Sequence, residues 1–116
     1  MISMTLDEVR ASFKAQGVAH PDDYAWVCPV CKTVQSARDF AAARVTAEEA
    51  NIQVGFSCIG RWRLGWERAL GQGCDWTLGG QLKIHELEVI DEAGRKHPRF
   101  AIATPTQAQD HAARHP

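Results

Sequence analysis

Four cysteines are the side chains of this sequence whose type and spacing point most clearly to chemistry. Cys28 and Cys31 are separated by two residues, a spacing at which a tight turn aims two thiolates at one metal ion. Twenty-six residues separate Cys31 from Cys58, and fifteen separate Cys58 from Cys74. Because four ligands in a tetrahedron close a structural zinc site, we predict that these four cysteines bind one structural Zn²⁺ ion.

Three other interpretations of the cysteines stay open. Cys28 and Cys31 could form a redox pair, although such pairs normally lie at a helix start and the next helix signal here begins only at Ser36. The cysteines could be free and buried, or His85 or His97 could replace one of them as a ligand. An all-cysteine site leaves no coordination position for water or substrate, so it predicts a structural ion rather than a catalytic one.

A segment rich in arginine and tryptophan lies between Cys58 and Cys74. Residues 59–83 carry four basic and two acidic side chains and form the only basic part of the chain. Tryptophan side chains stack on bases and arginine side chains pair with phosphates, and both residue types are also enriched in protein interfaces. They could equally fold back and cover a small core. We predict a partner-binding segment formed by Arg61, Trp62, Arg63, Trp66 and Arg68.

The remaining polar residues form no recognisable catalytic set. His85 and Glu86 are neighbours in a predicted strand, so their side chains would point to opposite faces and make a poor acid–base pair. We therefore expect a protein that is not an enzyme. Side chains expected at the surface or at helix starts are those of His97, His111, His115, Asp22, Asp23, Glu48 and Glu49, whereas Trp76 is expected in the core.

The composition fits one folded domain over residues 1–116. Hydrophobic residues make up 45% and charged residues 23% of the chain, as in ordinary globular proteins. A formal net charge of −1 argues against strong non-specific nucleic-acid binding and against an acidic DNA mimic. Because no signal peptide or membrane-spanning stretch is visible, we expect a cytoplasmic protein, in which cysteines bind metal more often than they form disulfides.

Helix starts are marked by capping sequences, in which a Ser or Thr precedes an acidic or amide side chain by three residues. The first such pair is Thr5 with Glu8, after which apolar residues recur at helical spacing until Gly17, a natural helix stop. A proline at the first helical position supports the last helix. The predicted helices are 6–16, 37–43, 47–52 and 105–113.

Alternating apolar residues bounded by turn residues predict the strands. Short connections between the later strands favour antiparallel pairing, and Pro98 favours an edge position. We predict an α+β fold, in which a small antiparallel sheet is held by the zinc site and flanked by helices. The predicted strands are 24–27, 33–35, 53–58, 74–78, 81–91 and 96–103, of which the last four form the sheet, with a loop over 59–73 and a turn over 91–94.

Five motifs stand out in the chain: CPVCKTVQS at 28–36, GFSCIGR at 55–61, GCDWTLGG at 73–80, IHELEV at 84–89 and KHPRF at 96–100. With them the sequence resembles an uncharacterised family of small phage and prophage proteins over about residues 24–110. The resemblance implies a mobile-element origin and, by analogy with other small phage proteins, an inhibitor of host defence such as an anti-CRISPR protein.

The function expected on these grounds is that of a non-catalytic protein, which binds and blocks a host protein or nucleoprotein complex. The alternative is a small zinc-containing module that binds nucleic acid through residues 61–68.

Overall fold

The described part of the chain folds into two small sheets and five α-helices, and it is α+β as the sequence predicts. The computed structural model describes residues 2–80 and 85–114. The strands are β1 (Ile2–Thr5), β2 (Ala25–Val27), β3 (Val34–Ser36), β4 (Leu87–Ile90), β5 (Lys96–Arg99) and β6 (Ala101–Ile102). The helices are α1 (Leu6–Lys14), α2 (Ala37–Ala42), α3 (Ala47–Gln53), α4 (Gly65–Ala69) and α5 (Pro105–Ala113).

The first sheet has the strand order β1-β4-β5. β4 and β5 form an antiparallel hairpin, in which Leu87 faces Arg99 and Ile90 faces Lys96. Asp91 closes its turn, since Asp91 Oδ1 accepts the backbone N–H groups of the residues at 93 and 95. β1 lies on the other side of β4 and runs parallel to it, which is possible because the two strands are far apart in the chain.

The second sheet has the order β3-β2-β6 and is antiparallel throughout. β2 and β3 are joined by the turn that contains Cys28 and Cys31. β6 follows β5 directly in the chain but belongs to this second sheet, so one stretch of chain connects the two sheets. Phe100, the residue between β5 and β6, is fully buried, and its N–H donates to the carbonyl of Gly55 at 2.6 Å.

Side-chain hydrogen bonds cap the N-termini of α1 and α5, as the sequence predicts. Thr5 and Glu8 exchange two hydrogen bonds of 3.2 and 3.0 Å at the start of α1. Thr104 and Gln107 do the same at the start of α5, with Pro105 as its first residue. These helices, together with α2 and α3, are confirmed close to their predicted bounds. No helix among the described residues is long and apolar enough to cross a membrane.

Aromatic residues form the centre of the core. The ring of Phe13 stacks on Tyr24 at 5.0 Å and meets the edge of Trp26 at 4.9 Å. Phe40 and Phe100 are fully buried in the same cluster, which also contains Cys28 and Cys58. Trp76 packs against the margin of this cluster, so its expected place in the core is confirmed in part. Cys28 and Cys58 are therefore part of the hydrophobic core.

Several predicted strands are wrong or incomplete. The predicted strand 53–58 is a turn after α3, and its Ser57 makes only an isolated antiparallel bridge to Thr77 in the predicted strand 74–78. The predicted strand 96–103 is split at Phe100 between two sheets. The predicted strand 81–91 is confirmed for β4 only, and its residues 81–84 lie outside the described residues.

Two features were not anticipated from the sequence. β1 was not predicted because its partner β4 lies near the other end of the chain, and its pairing makes the first sheet mixed rather than antiparallel. The predicted loop 59–73 contains a 3₁₀ helix over Ile59–Trp62 as well as α4.

Gln16 provides a test of how the second sheet is held. Its fully buried amide accepts the N–H of Ala25 at 3.0 Å and donates to the carbonyls of Ala25 and Ala103 at 2.9 and 3.0 Å. Gln16→Leu removes the partners of the Ala25 N–H and the Ala103 carbonyl, whereas the Ala25 carbonyl keeps the N–H of Ala103. We therefore expect the free energy of unfolding to fall by about 2 to 5 kcal/mol in urea denaturation. The control is Gln53→Leu, which removes only an exposed bond to Glu49. Equal stability of the two variants would contradict this role.

Candidate metal centre

The sulfur atoms of Cys28, Cys31, Cys58 and Cys74 all lie within 4.8 Å of one another. Two pairs, Cys28 with Cys74 and Cys31 with Cys58, have Sγ–Sγ distances of 3.7 Å, and all four cysteines are free. A regular tetrahedron with such edges has its centre about 2.3 Å from each corner, which is the length of a zinc–thiolate bond. The predicted set of ligands is therefore brought together, and this cluster could hold a metal ion.

The first two cysteines lie in a tight turn that leaves β2. The N–H of Cys28 donates to the carbonyl of Thr33 at 3.1 Å, and the N–H of Lys32 donates to the carbonyl of Cys28 at 3.0 Å. Lys32 has a φ of 63°, a left-handed conformation that reverses the chain so that β3 returns antiparallel to β2. Both thiols of the Cys-x-x-Cys pair therefore project from one side of a closed turn.

The other two cysteines are brought together by contact between two glycines. A Cβ atom on Gly60 would overlap the backbone N and O of Cys74, and one on Gly73 would lie 2.7 Å from the Cα and N of Gly60. Gly73 also has a φ of 120°, which side chains rarely allow. Only two residues without side chains let the backbones approach closely enough to place Cys58 and Cys74 in one cluster.

Several N–H groups point at the sulfur atoms. The backbone N–H of Cys74 lies 3.3 Å from Cys58 Sγ, and that of Trp76 lies 3.5 Å from Cys74 Sγ. Gln35, which is fully buried, donates its side-chain N–H to Cys58 Sγ at 3.5 Å and accepts the N–H of Ile59 at 2.7 Å. Such donors favour thiolates over thiols and orient the sulfur atoms.

Sequence reasoning missed the role of Gln35. Its position within the motif CPVCKTVQS is the only sequence signal that could have indicated it.

The thiols strongly influence each other's ionisation. A hydrogen bond from the Cys28 thiol, helped by the N–H groups of Cys74 and Gly60, lowers the pKa of Cys58 to about 4. The same bond to Cys58, followed by burial, raises the pKa of Cys28. Burial raises the pKa of Cys74 to about 11. One thiolate forms easily here, whereas forming four in so small a volume requires a cation among them.

Two of the alternative interpretations, a histidine ligand and a redox pair, gain no support from the geometry. The cluster contains all four cysteines and no histidine among the described residues. His97 instead bonds Asp91, with His97 Nε2 and Asp91 Oδ2 at 2.9 Å. Cys28 and Cys31 lie in a turn between strands, well before α2, and not at a helix start as a redox pair would.

The predicted partner-binding segment is divided by the structure into two parts. Trp62 packs edge-on against Phe40 at 5.1 Å and belongs to the margin of the core. Arg63 donates to the carbonyl of Gln72 at 2.7 Å and to the carboxylate of Asp39 at 3.0 Å. Arg61 lies at the surface but donates to the carbonyl of Asp75 at 2.8 Å. These three side chains connect the segment to the rest of the protein.

The other part of the segment is exposed. Trp66 is 63% exposed, and the flanking Leu64 and Leu70 are 62% and 68% exposed. Trp66 and Leu70 are four residues apart across α4 and therefore share a face of it. Arg68 is exposed on the same short helix. We call Leu64, Trp66, Arg68 and Leu70 the α4 surface. Sequence reasoning missed the two leucines because isolated leucines are usually buried.

A cluster of polar side chains around the buried Asp39 lies beside the segment and corrects one expectation. Asp39, whose side chain is 1% exposed, accepts from the backbone N–H of Ser36 at 2.8 Å and contacts Arg63. His111, expected at the surface without a partner, is half-buried with its Nε2 2.7 Å from Asp39 Oδ2. His111 reaches Asp39 because α5 packs against β3, which leads directly into α2.

Two more polar expectations change. Asp23 is not solvated but buried, and both its oxygens accept from Arg38 at 2.7 and 3.1 Å. His97 has a partner in Asp91, as described above. Glu48 and Glu49 are confirmed as exposed acids in the first turn of α3. His115 lies outside the described residues.

The fold and the site together define a small α+β protein built around a four-cysteine cluster that could hold a metal ion. Residues 5–103 match the VVA0879-like family, and the chain belongs to that family. The matched region contains all four cysteines together with Gly60 and Gly73. No curated protein and no solved structure matches the chain.

The glycine contact can be tested with a matched pair of variants. Gly60→Ala places a methyl group into the backbone of Cys74, so we expect it to separate Cys58 from Cys74 and to lower the stability by at least about 3 kcal/mol. Gly65→Ala is the control, since an added Cβ there meets nothing within 4 Å. Thermal melting and the metal content of the purified variants are the measurements. Normal metal content in Gly60→Ala would show that the contact is not needed.

Proposed function

We propose that this protein is a non-catalytic binding protein, in which one structural zinc ion holds the α4 surface ready to bind and block a host protein or nucleoprotein complex. The observation that carries the proposal is a closed sulfur cluster whose last two ligands, Cys58 and Cys74, bracket an exposed apolar helix. Such a site has no free coordination position, which favours a structural over a catalytic ion.

The donor set supports zinc as the metal. Four thiolates are soft ligands, which select zinc or iron–sulfur clusters over magnesium and calcium. The 3.7 Å separations between sulfurs suit a single tetrahedral ion. Iron–sulfur clusters need more space, because several iron and sulfide atoms must fit between the cysteines.

The α4 surface supports a role in binding. Of the six large hydrophobic side chains that are exposed among the described residues, three lie within residues 64–70. Exposed apolar side chains grouped in this way mark interaction sites, and a tryptophan with a neighbouring arginine is typical of the residues that dominate binding energy. Because zinc would fix both ends of this segment, little ordering would be needed when the partner binds.

The nature of the partner rests on the resemblance to small phage proteins. The motifs around the cysteines carry that resemblance, and they include the metal ligands as well as Gly60 and Gly73. A phage origin would make a host defence component the partner, with an anti-CRISPR role as one form of it, and would place the protein in the cytoplasm.

Nucleic-acid binding is the second candidate function, and the exposed Trp66 with the neighbouring Arg68 favours it. An exposed aromatic ring can stack on a base while an arginine pairs with a phosphate. However, Arg61 and Arg63 already donate to protein groups, which leaves few free cations for a phosphate backbone. Affinity for a single-stranded oligonucleotide that falls steeply with salt would favour this function over protein binding.

Removal of the metal tests the structural role of zinc. Metal binding at a structural site contributes to the free energy of folding. Treatment with a strong chelator should therefore lower the melting temperature by more than about 10 °C. Cys74→Ser should have a similar effect without chelator. Restoration of the original melting curve by one equivalent of Zn²⁺ is the control. A melting curve that is insensitive to both changes would contradict the structural role.

Two tryptophan variants test the binding surface. Trp66→Ala removes an exposed ring, so we expect stability to change by no more than about 0.5 kcal/mol while binding of the captured host partner falls at least tenfold. Trp62→Ala removes a ring packed on Phe40, so it should lower stability by about 2 kcal/mol.

The partner is first captured from the host by affinity purification and identified, and its affinity for each variant is then measured by calorimetry. Full binding by Trp66→Ala would place the contact surface elsewhere.

A further inference from the structure

A cleft of about 300 Å³ lies between α1 and the inner face of the first sheet. Its walls are apolar, with Leu6, Val9 and Phe13 contributed by α1, Trp26 by β2 and Val89 by β4. The floor on the β5 side is different, because it is lined by Asp91, His97 and Arg99. A cleft with apolar walls and very few polar groups is the usual form of a small-molecule site, and this one is at the small end of the range.

The pairing of β4 with β5 explains how two basic residues come to face the core. Leu87 is opposite Arg99, and Val89 is opposite His97. Residues directly opposite in antiparallel strands share a face of the sheet, and Leu87 and Val89 are both buried in the core. Arg99 and His97 therefore occupy inward positions at which a sheet of this kind normally has apolar residues.

Arg99 differs from the other partly buried arginines. Arg38 contacts Asp23 at 2.7 Å and Arg63 contacts Asp39 at 3.0 Å, whereas Arg99 forms no ion pair among the described residues. One of its nitrogens donates to the carbonyl of Pro98 at 2.7 Å, and its guanidinium lies 5.3 Å from the ring centre of Phe56. A guanidinium has five N–H donors, so most of them are available.

His97 cannot take the place of Arg99 as a receptor for an anion. Its Nε2 is already 2.9 Å from a carboxylate oxygen of Asp91, which balances its charge when it is protonated. The Asp91 carboxylate is engaged by His97 and by the backbone N–H groups of the residues at 93 and 95. Among the described residues, Arg99 is therefore the charged side chain of the cleft that has no ionic partner. Burial lowers the pKa of Arg99, in keeping with a charge that is partly removed from water.

We propose that this cleft binds a small carboxylic acid with an apolar body. The carboxylate pairs with the guanidinium of Arg99, which offers two parallel N–H donors for its two oxygens. The apolar body lies against Val9, Phe13 and Val89. A neutral ligand would leave the guanidinium without a counter-charge, and a strongly polar one would leave the apolar walls unfilled. The site does not involve the cysteine cluster or the α4 surface.

Matched acids and amides test the proposal on the intact, metal-loaded protein. Phenylacetate and octanoate are titrated by calorimetry, each beside its neutral amide of nearly the same shape. We expect the two acids to bind and each amide to bind at least tenfold more weakly. Chemical shifts of the Val9 and Val89 methyl groups should follow the acid titration, which places the ligand in the cleft. If neither acid binds, or if acid and amide bind equally, the proposal is wrong.

Variants of Arg99 give a second test. Arg99→Gln should keep the fold and weaken acid binding at least tenfold, while Arg99→Lys should retain part of the affinity because the charge remains. Arg95→Gln is the control, since Arg95 is exposed in the same hairpin and should not affect binding. Unchanged affinity in Arg99→Gln would overturn the proposal. Should Arg99→Gln fail to fold, the comparison of acid with amide on the unaltered protein still decides.

Discussion

The approach of two glycine backbones at Gly60 and Gly73 is the constraint on which the rest of the structure depends. It brings Cys58 to Cys74, and so completes the sulfur cluster that the turn at Cys28 and Cys31 begins. Both sheets consist of short strands, and a chain of 116 residues can bury only a limited core. A metal ion at the cluster, as we propose, would connect the second sheet to the segment that follows α3 and supply the stability that the core lacks.

The same cluster determines what the segment between Cys58 and Cys74 can present. Trp62 packs on Phe40, and Arg63 donates to Asp39 and Gln72, so part of a basic and aromatic motif is used to hold the segment. What remains at the surface is mainly apolar. This division favours an interface with a protein over one with a phosphate backbone, because two of the arginines donate to protein groups and three large apolar side chains are exposed.

The sequence predicted those features whose signals are local. Helices α1 and α5 were correctly located because Thr5 and Thr104 form capping boxes with residues three positions ahead. The four cysteines of the cluster followed from residue type and from the Cys-x-x-Cys spacing. Features that depend on distant parts of the chain were missed, since neither the parallel pairing of β1 nor the division of 96–103 at Phe100 leaves a local pattern. His111 was taken for a surface residue because its partner, Asp39, is 72 positions away.

X-ray absorption at the metal edge of the freshly purified, unchelated protein tests the central claim most directly. Our account predicts one zinc ion per chain, with four sulfur ligands at about 2.3 Å and no nitrogen or oxygen in the first shell. A protein that contains no metal would contradict the account. So would an absorption spectrum that requires a histidine ligand or a water molecule, because the site would then be open or would not consist of Cys28, Cys31, Cys58 and Cys74.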